Sequence, residues 1–290
     1  MDGSTLPTDL ERKIFETAAL MHPNTIPVLL RVARRVLVWI EPLLYRVLRI
    51  SSSDPLTVLD AVRRAMKAKP ANFFRDNVRH ICLSSLSWSV KDTYALLRLC
   101  PRVVTLSTMS RFLPPLHQIE QGPFALLQIL LEMPQLRKWG GSLTNLFGSR
   151  AAIDPTHPVF RNITHLDLFD DLLDAQDARI CTSLATMPAL THLSLFNEVR
   201  PGIFQRVLDE CASLRALVHM WHDLHTWEAH KIAAEPPVTD VRFVVRVFHD
   251  YWADWEAGAR GDTDRWAAAD AFIERKRRGE IDPSYYWLDY

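Results

Sequence analysis

The chain has 290 residues, with 34 basic side chains against 34 acidic ones and a formal net charge of +0, so no global field invites nucleic acid or an anionic membrane. At 48% apolar and 23% charged it has the composition of a globular protein with a large core, and no run approaches the roughly 18 consecutive apolar residues of a membrane-spanning helix. Cys82, Cys100, Cys181 and Cys211 sit in apolar settings without a C-x-x-C pair; with the polar start Met1-Asp2-Gly3-Ser4-Thr5, they point to buried thiols in the cytoplasm or nucleus.

Residues 1–50 read as short helices. Pro7 suits a helix start, and Leu10, Ile14, Phe15 and Ala18 share one face of the first. His22-Pro23-Asn24-Thr25 breaks the pattern, and a second helix follows through Val28, Leu29, Val32, Ala33 and Val36. Pro42, in Trp39-Ile-Glu-Pro-Leu-Leu-Tyr45, suits the start of a third. Residues 51–77 read as a linking helix or N-terminal cap, with Leu56, Leu59, Val62 and Met66 at helical spacing.

From residue 78 one phrase recurs. Thr164-His-Leu-Asp-Leu-Phe169 and Thr191-His-Leu-Ser-Leu-Phe196 differ at one position and lie 27 residues apart, each preceded by an apolar residue. Weaker versions start at Val78, Val103, Leu136, Leu214 and Val241, at intervals of 24 to 33 residues across the series. Each phrase reads as a short strand, because side chains alternate faces at every step. Helical segments stand between them, at 90–99, 123–132, 175–186 and 201–210, several closed by a proline that blocks their continuation. Residues 78–249 thus form a repeat array, and 250–290 a helical C-terminal cap with an aromatic tail.

Two resemblances follow from these residues. Leu6-Pro7-x-Asp9-Leu10-x3-Ile14-Phe15, then Ile26-Pro27-x-Leu29-Leu30-x-Val32-Ala33-Arg34-x-Val36 with Trp39 and Tyr45, resembles an F-box motif, closest to the F-box-like proteins of mushroom-forming fungi. Ala18 to Thr25 departs from the usual pattern. The phrases from residue 78 onward resemble irregular leucine-rich repeats, without the asparagine of the regular form. The fold class expected is α/β: a leucine-rich-repeat-like solenoid with parallel strands on the concave side and helices outside, preceded by an F-box-like helical motif. By the resemblance, Leu6, Pro7, Leu10, Ile14 and Leu29 would dock the adaptor subunit of a cullin-type ubiquitin ligase. The arc would hold a substrate protein.

Within each phrase the third, fifth and seventh residues face away from the core. They supply an expected partner-binding surface of His80, Lys138, His165, Asp167, Phe169, His192, Ser194, Phe196 and Met220, with His165 beside His192 and Phe169 beside Phe196. A covering of that surface by the chain's own loops is the alternative. Asp170-Asp171-Leu-Leu-Asp174 has the D-D-x-x-D form of class I terpene synthases, which hold magnesium against a diphosphate; following a strand by one residue, it also suits a helix cap. His219, His222 and His225 with Asp223 could ligate a transition metal, and Ser194 with His192 or His165 and Asp167 could form a nucleophilic set, though G-x-S-x-G is absent. No cofactor is implied. The leading expectation is a non-enzymatic adaptor, ahead of a solenoid scaffold without ligase docking and of a metal-dependent enzyme.

Overall fold

Alternating apolar side chains that recur every repeat let each strand bury the same edge beside its predecessor. The computed structural model describes residues 6–51, 56–84, 89–108, 125–173, 177–196 and 198–289. It contains a nine-stranded sheet in which the strand order is the chain order and every neighbouring pair is parallel. The strands are β1 (Val47–Ser51), β2 (His80–Ser84), β3 (Thr105–Thr108), β4 (Lys138–Gly141), β5 (His165–Leu168), β6 (His192–Phe196), β7 (Ala216–His222), β8 (Phe243–Phe248) and β9 (Trp287–Leu288). Strands β2 to β8 fall on the seven expected phrases. The edge strands β1 and β9 are additions, and β1 runs across the boundary expected at residue 50.

Apolar residues at the fourth position of six of the phrases, leucines at the sixth in several of them, and Phe243 and Val245 of β8 make the main core. Ile81, Leu106, Leu166, Leu168, Leu193, Leu195 and Leu217 lie in one buried cluster with residues of the helices outside the sheet. These are α4 (Leu56–Ala68), α5 (Ala71–Asn77), α6 (Val90–Leu99), α7 (Ala125–Leu131), the short α8 (Leu143–Phe147), α9 (Ala178–Ala185), α10 (Pro201–Glu210) and α11 (Thr226–Ala234). In α10, Ile203, Phe204, Val207 and Leu208 repeat at helical spacing and all are buried. Ser89 and Ser142 cap α6 and α8 by accepting from Asp92 and Asn145 backbone N–H groups at 3.0 and 3.1 Å. All four cysteines are buried and free, and burial pushes the Cys100 thiol up to about 12.

The N-terminal helices, α1 (Thr8–Met21), α2 (Ile26–Leu29) and α3 (Arg34–Leu44), enclose a small cluster of their own, Ala19, Ile26, Val36 and Ile40. The second expected helix is therefore shorter, and the third starts earlier and carries Pro42 inside it. Val36 and Ile40, one turn apart and both fully buried, need a single helical face, which moves the break back to residues 30–33. Tyr45 ties this unit to the sheet's first edge, its ring edge-on to Phe73 and Phe74 at 5.0 and 5.6 Å.

Leu166 is fully buried at mid-sheet, so Leu166→Ala should lower stability by about 2–5 kcal/mol. Leu224, 82% exposed, is the matched control, and Leu224→Ala should change stability by less than about 0.5 kcal/mol. Urea denaturation of both variants checks this; an unchanged midpoint for Leu166→Ala would contradict the assigned core.

Candidate functional site

The sheet has a second face, and its apolar residues Cys82, Ala216, Val218, Met220 and Val244 cannot stand in water together without cost. Between β8 and β9 the chain crosses that face as α12 (Tyr251–Arg260) and α13 (Arg265–Arg277). Asp250 caps α12, accepting from Trp252 and Ala253 N–H, and Gly261 ends it at φ +95, where glycine carries no Cβ penalty. Asp264 caps α13 the same way, through Trp266 and Ala267 N–H at 3.1 and 2.9 Å. A Cβ on Gly258 would stand 2.5 Å from the Asp264 carboxylate, so a bare backbone is what lets the two helices turn against each other.

The expected open recognition face is thus closed by the chain itself. Asp167, His192, Ser194 and Met220 are buried, and His80, Lys138, His165, Phe169 and Phe196 are half-buried. Residues 250–278, expected as a cap on the end of the array, lie across its face instead. The facing pattern is as expected at β5 and β6, where His165 pairs with His192 in register and the Phe169 and Phe196 rings lie 4.8 Å apart. At β8 it is shifted by one residue, with Phe243 and Val245 in the main core and Val244 on the covered face.

Asp167 is the centre of the covered face. One carboxylate oxygen accepts from the Ser194 hydroxyl; the other accepts from the Tyr251 hydroxyl at 2.8 Å and from the Arg265 guanidinium. Arg265 also donates to Asp254 at 2.7 Å, and Arg246 reaches the other Asp254 oxygen at 3.4 Å. Two carboxylates thus meet two guanidiniums, which is the condition for burying such charges. The Arg265 guanidinium lies over the rings of Tyr251 and Trp266, at 4.8 and 5.1 Å. Burial works against its charge, but Asp167, Tyr251 and Asp254 outweigh that and hold its pKa above the ordinary value. Burial, then the Asp167 charge, push the Tyr251 phenol well up. Gly140 makes room: a Cβ there would lie 2.9 Å from Ser107 Oγ and 3.1 Å from the Tyr251 hydroxyl.

Beside this cluster the His165 and His192 rings stack at 4.1 Å, both edge-on to Trp266. Their Nδ1 atoms are taken by Thr164 and Thr191, each at 2.8 Å, and His192 Nε2 by Asp270 at 3.0 Å. Ser194 therefore faces a carboxylate rather than an imidazole, which is not the arrangement a nucleophilic serine needs. Burial, then His192 and Lys138, push His165 down to about 3. Burial, then the Arg46 and Lys138 cations, push His80 down to about 4. A cavity of about 120 Å³ remains where α12 turns into α13, lined by His80, Lys138, His165, Asp264 and Arg265 among others.

The other candidates scatter. Asp170 caps a helix, but backward: it accepts from Leu143 and Thr144 N–H of α8 at 2.6 and 3.0 Å and from Ser142 Oγ at 2.8 Å. The neighbouring strand brings α8's bare N–H groups closer than any following helix. Asp171 is exposed, and Asp174 lies outside the described residues. His219 is buried among Phe204, Trp221 and Phe243. His249 Nδ1 bonds one Asp223 oxygen at 2.7 Å, His222 Nδ1 lies 2.6 Å from the other but accepts from Leu224 N–H at 3.2 Å, and His225 lies 3.8 Å from Glu228. Among the described residues, no group of three or more His, Cys, Asp or Glu is placed to hold a metal ion.

Among the described residues, most of the exposed large hydrophobic side chains lie on the N-terminal helical unit. Leu10 and Ile14 are 50% and 54% exposed and continue a stripe from Leu6 to Met21 along the outside of α1; Pro7 is exposed beside it. Val28, Val32 and Val38 are exposed too. Leu29, expected in the same face, instead packs half-buried against the small helical cluster.

Arg265, Tyr251, Asp254 and Asp264 carry no motif, and their stretch reads as an Ala-rich, charged helix. The available signal was Trp252, Trp255 and Trp266, which need something to pack on.

The depressed His80 and His165 values make stability pH-dependent. Below an ordinary histidine pKa of about 6.5 the unfolded chain takes up protons that the folded face refuses, so stability is full above that pH and falls by up to about 1.4 kcal/mol per unit per group as pH drops toward 4. Urea titrations at pH 7.5, 6 and 5 should show the loss, reduced in His165→Asn; a flat profile would contradict it. The chain matches no protein-family model and no curated protein.

Proposed function

We propose that this protein is a non-enzymatic interaction subunit whose N-terminal helices dock a second protein. The observation that carries the reading is the outward stripe of Leu10, Ile14 and Met21 on α1, with Leu6 exposed just before it, a helix whose other side, at Phe15 and Ala19, already packs on α3. A helix with apolar side chains on both sides has one side to spare for a partner. Lys13 lies beside Ile14 and Met21 on the same surface. By its resemblance to an F-box, the stripe's partner is the adaptor subunit of a cullin-type ubiquitin ligase, and the leucine-rich-repeat-like solenoid positions a substrate protein. Transfer chemistry then belongs to other subunits.

The scaffold reading, in which these helices only close the first edge of the array, draws on Tyr45 between Phe73 and Phe74 and on the Glu41–Lys69 ion pair at 2.5 Å. It leaves the outward stripe without a use. Metal-dependent chemistry draws no support from Asp170, whose oxygens are spent on the α8 N-terminus.

Titration calorimetry of the full chain against the ligase adaptor separates the readings. Binding is expected, with at least a tenfold loss in Leu10→Asp/Ile14→Asp. Both positions are exposed, so the circular dichroism spectrum should not change. A wild-type chain that does not bind would remove the ligase reading.

A further inference from the structure

The contacts between α12–α13 and the sheet face join apolar packing, through Trp255, Trp266, Ala269, Phe272 and Ile273, to a set of matched charges. One arginine enters a pocket whose floor is Asp167, with Ser194 and Tyr251 completing the carboxylate's hydrogen bonds and Trp266 alongside. Further out, Lys138 meets Asp264 at 3.1 Å and His192 meets Asp270 at 3.0 Å. Buried pairs of this kind add little net stability over apolar packing, yet they penalise any occupant that lacks the matching charge. They select what binds.

The fit is also incomplete. The cavity of about 120 Å³ stays open at the turn between the helices. His80 Nδ1 on the sheet, and Arg265 Nε and Lys276 Nζ on α13, are buried without a hydrogen-bond partner. Lys276 lies over the Tyr286 and Phe272 rings, at 4.0 and 5.5 Å, and burial pushes it down to about 8 against the opposing pull of the Asp240 and Asp282 charges. Such atoms are expensive in a permanent interior. The segment follows β8 within two residues, and beyond α13 the chain rejoins the sheet through β9, which is two residues long.

We propose that the covered sheet face is a recognition site for a helix presenting an arginine flanked by an aromatic ring, and that residues 250–289 are its resident occupant, displaced when a partner helix of that chemistry binds. A better-fitting helix gives Asp167 another guanidinium and leaves no orphaned polar atom behind. The inference rests on the sheet face alone and holds whatever the N-terminal helices dock.

The full-length chain tests it in two ways. In native-state hydrogen exchange, the α12 and α13 amides are expected to exchange at least tenfold faster than those of β5 and β6, because the occupant leaves while the sheet stays folded. In fluorescence polarisation, a labelled synthetic peptide of residues 250–278 is expected to bind full-length Arg265→Ala at least tenfold more tightly than wild type, since the vacated Asp167 accepts the peptide's own arginine. The same peptide carrying Arg265→Ala should bind at least tenfold more weakly. Tyr251→Phe, which removes one hydroxyl, serves as receptor should Arg265→Ala not fold. Equal exchange rates in helices and strands overturn the proposal, as does a folded variant that does not take up the peptide.

Discussion

The structure turns on one buried carboxylate. Asp167 stands at the fifth position of the most regular strand phrase, where the side chain must leave the leucine core and point to the other face. There it is buried, and its charge must be met by the chain. Ser194 comes from the neighbouring strand in register, while Tyr251 and Arg265 come from one helix each. The demand of that carboxylate is what sets where α12 and α13 sit. Glycine at 140 and 258 follows from the same constraint, because a side chain at either position would push those helices off.

Much of the sheet was legible in the sequence because period-two alternation fixes which residues point in, and a repeat of about 27 residues fixes which ones become neighbours. The stacking of His165 on His192 and the approach of Phe169 to Phe196 needed nothing more. What covers a face is a different matter. Alternation says that Asp167 and Ser194 leave the core, and it is silent on whether water or another helix meets them. The closing helices carry no leucine, and they meet the sheet through small and aromatic apolar residues, Ile273 and buried charges. Asp170 shows the same limit: it sits where a cap for the next helix belongs, and the geometry of adjacent strands turns it to the previous one.

On the proposed reading the two surfaces divide the work. The N-terminal helices keep an apolar stripe in water and are held to the first edge by an aromatic cluster, so they can meet a partner without disturbing the sheet. The face at the middle of the sheet is matched in charge and enclosed, so access to it requires movement of the helices above. Acid is expected to weaken that enclosure, because burial disfavours the charged forms of His80 and His165 within it.

The central claim, that Asp167 and Arg265 act as one unit in holding the helices to the sheet, is tested most directly by a double-mutant cycle in chemical denaturation. Asp167→Asn and Arg265→Gln should each destabilise by about 3–5 kcal/mol, through the partner charge left unmatched. Together they should cost less than the two separately, with a coupling of about 1–3 kcal/mol. Losses that simply add, to within about 0.5 kcal/mol, would contradict it.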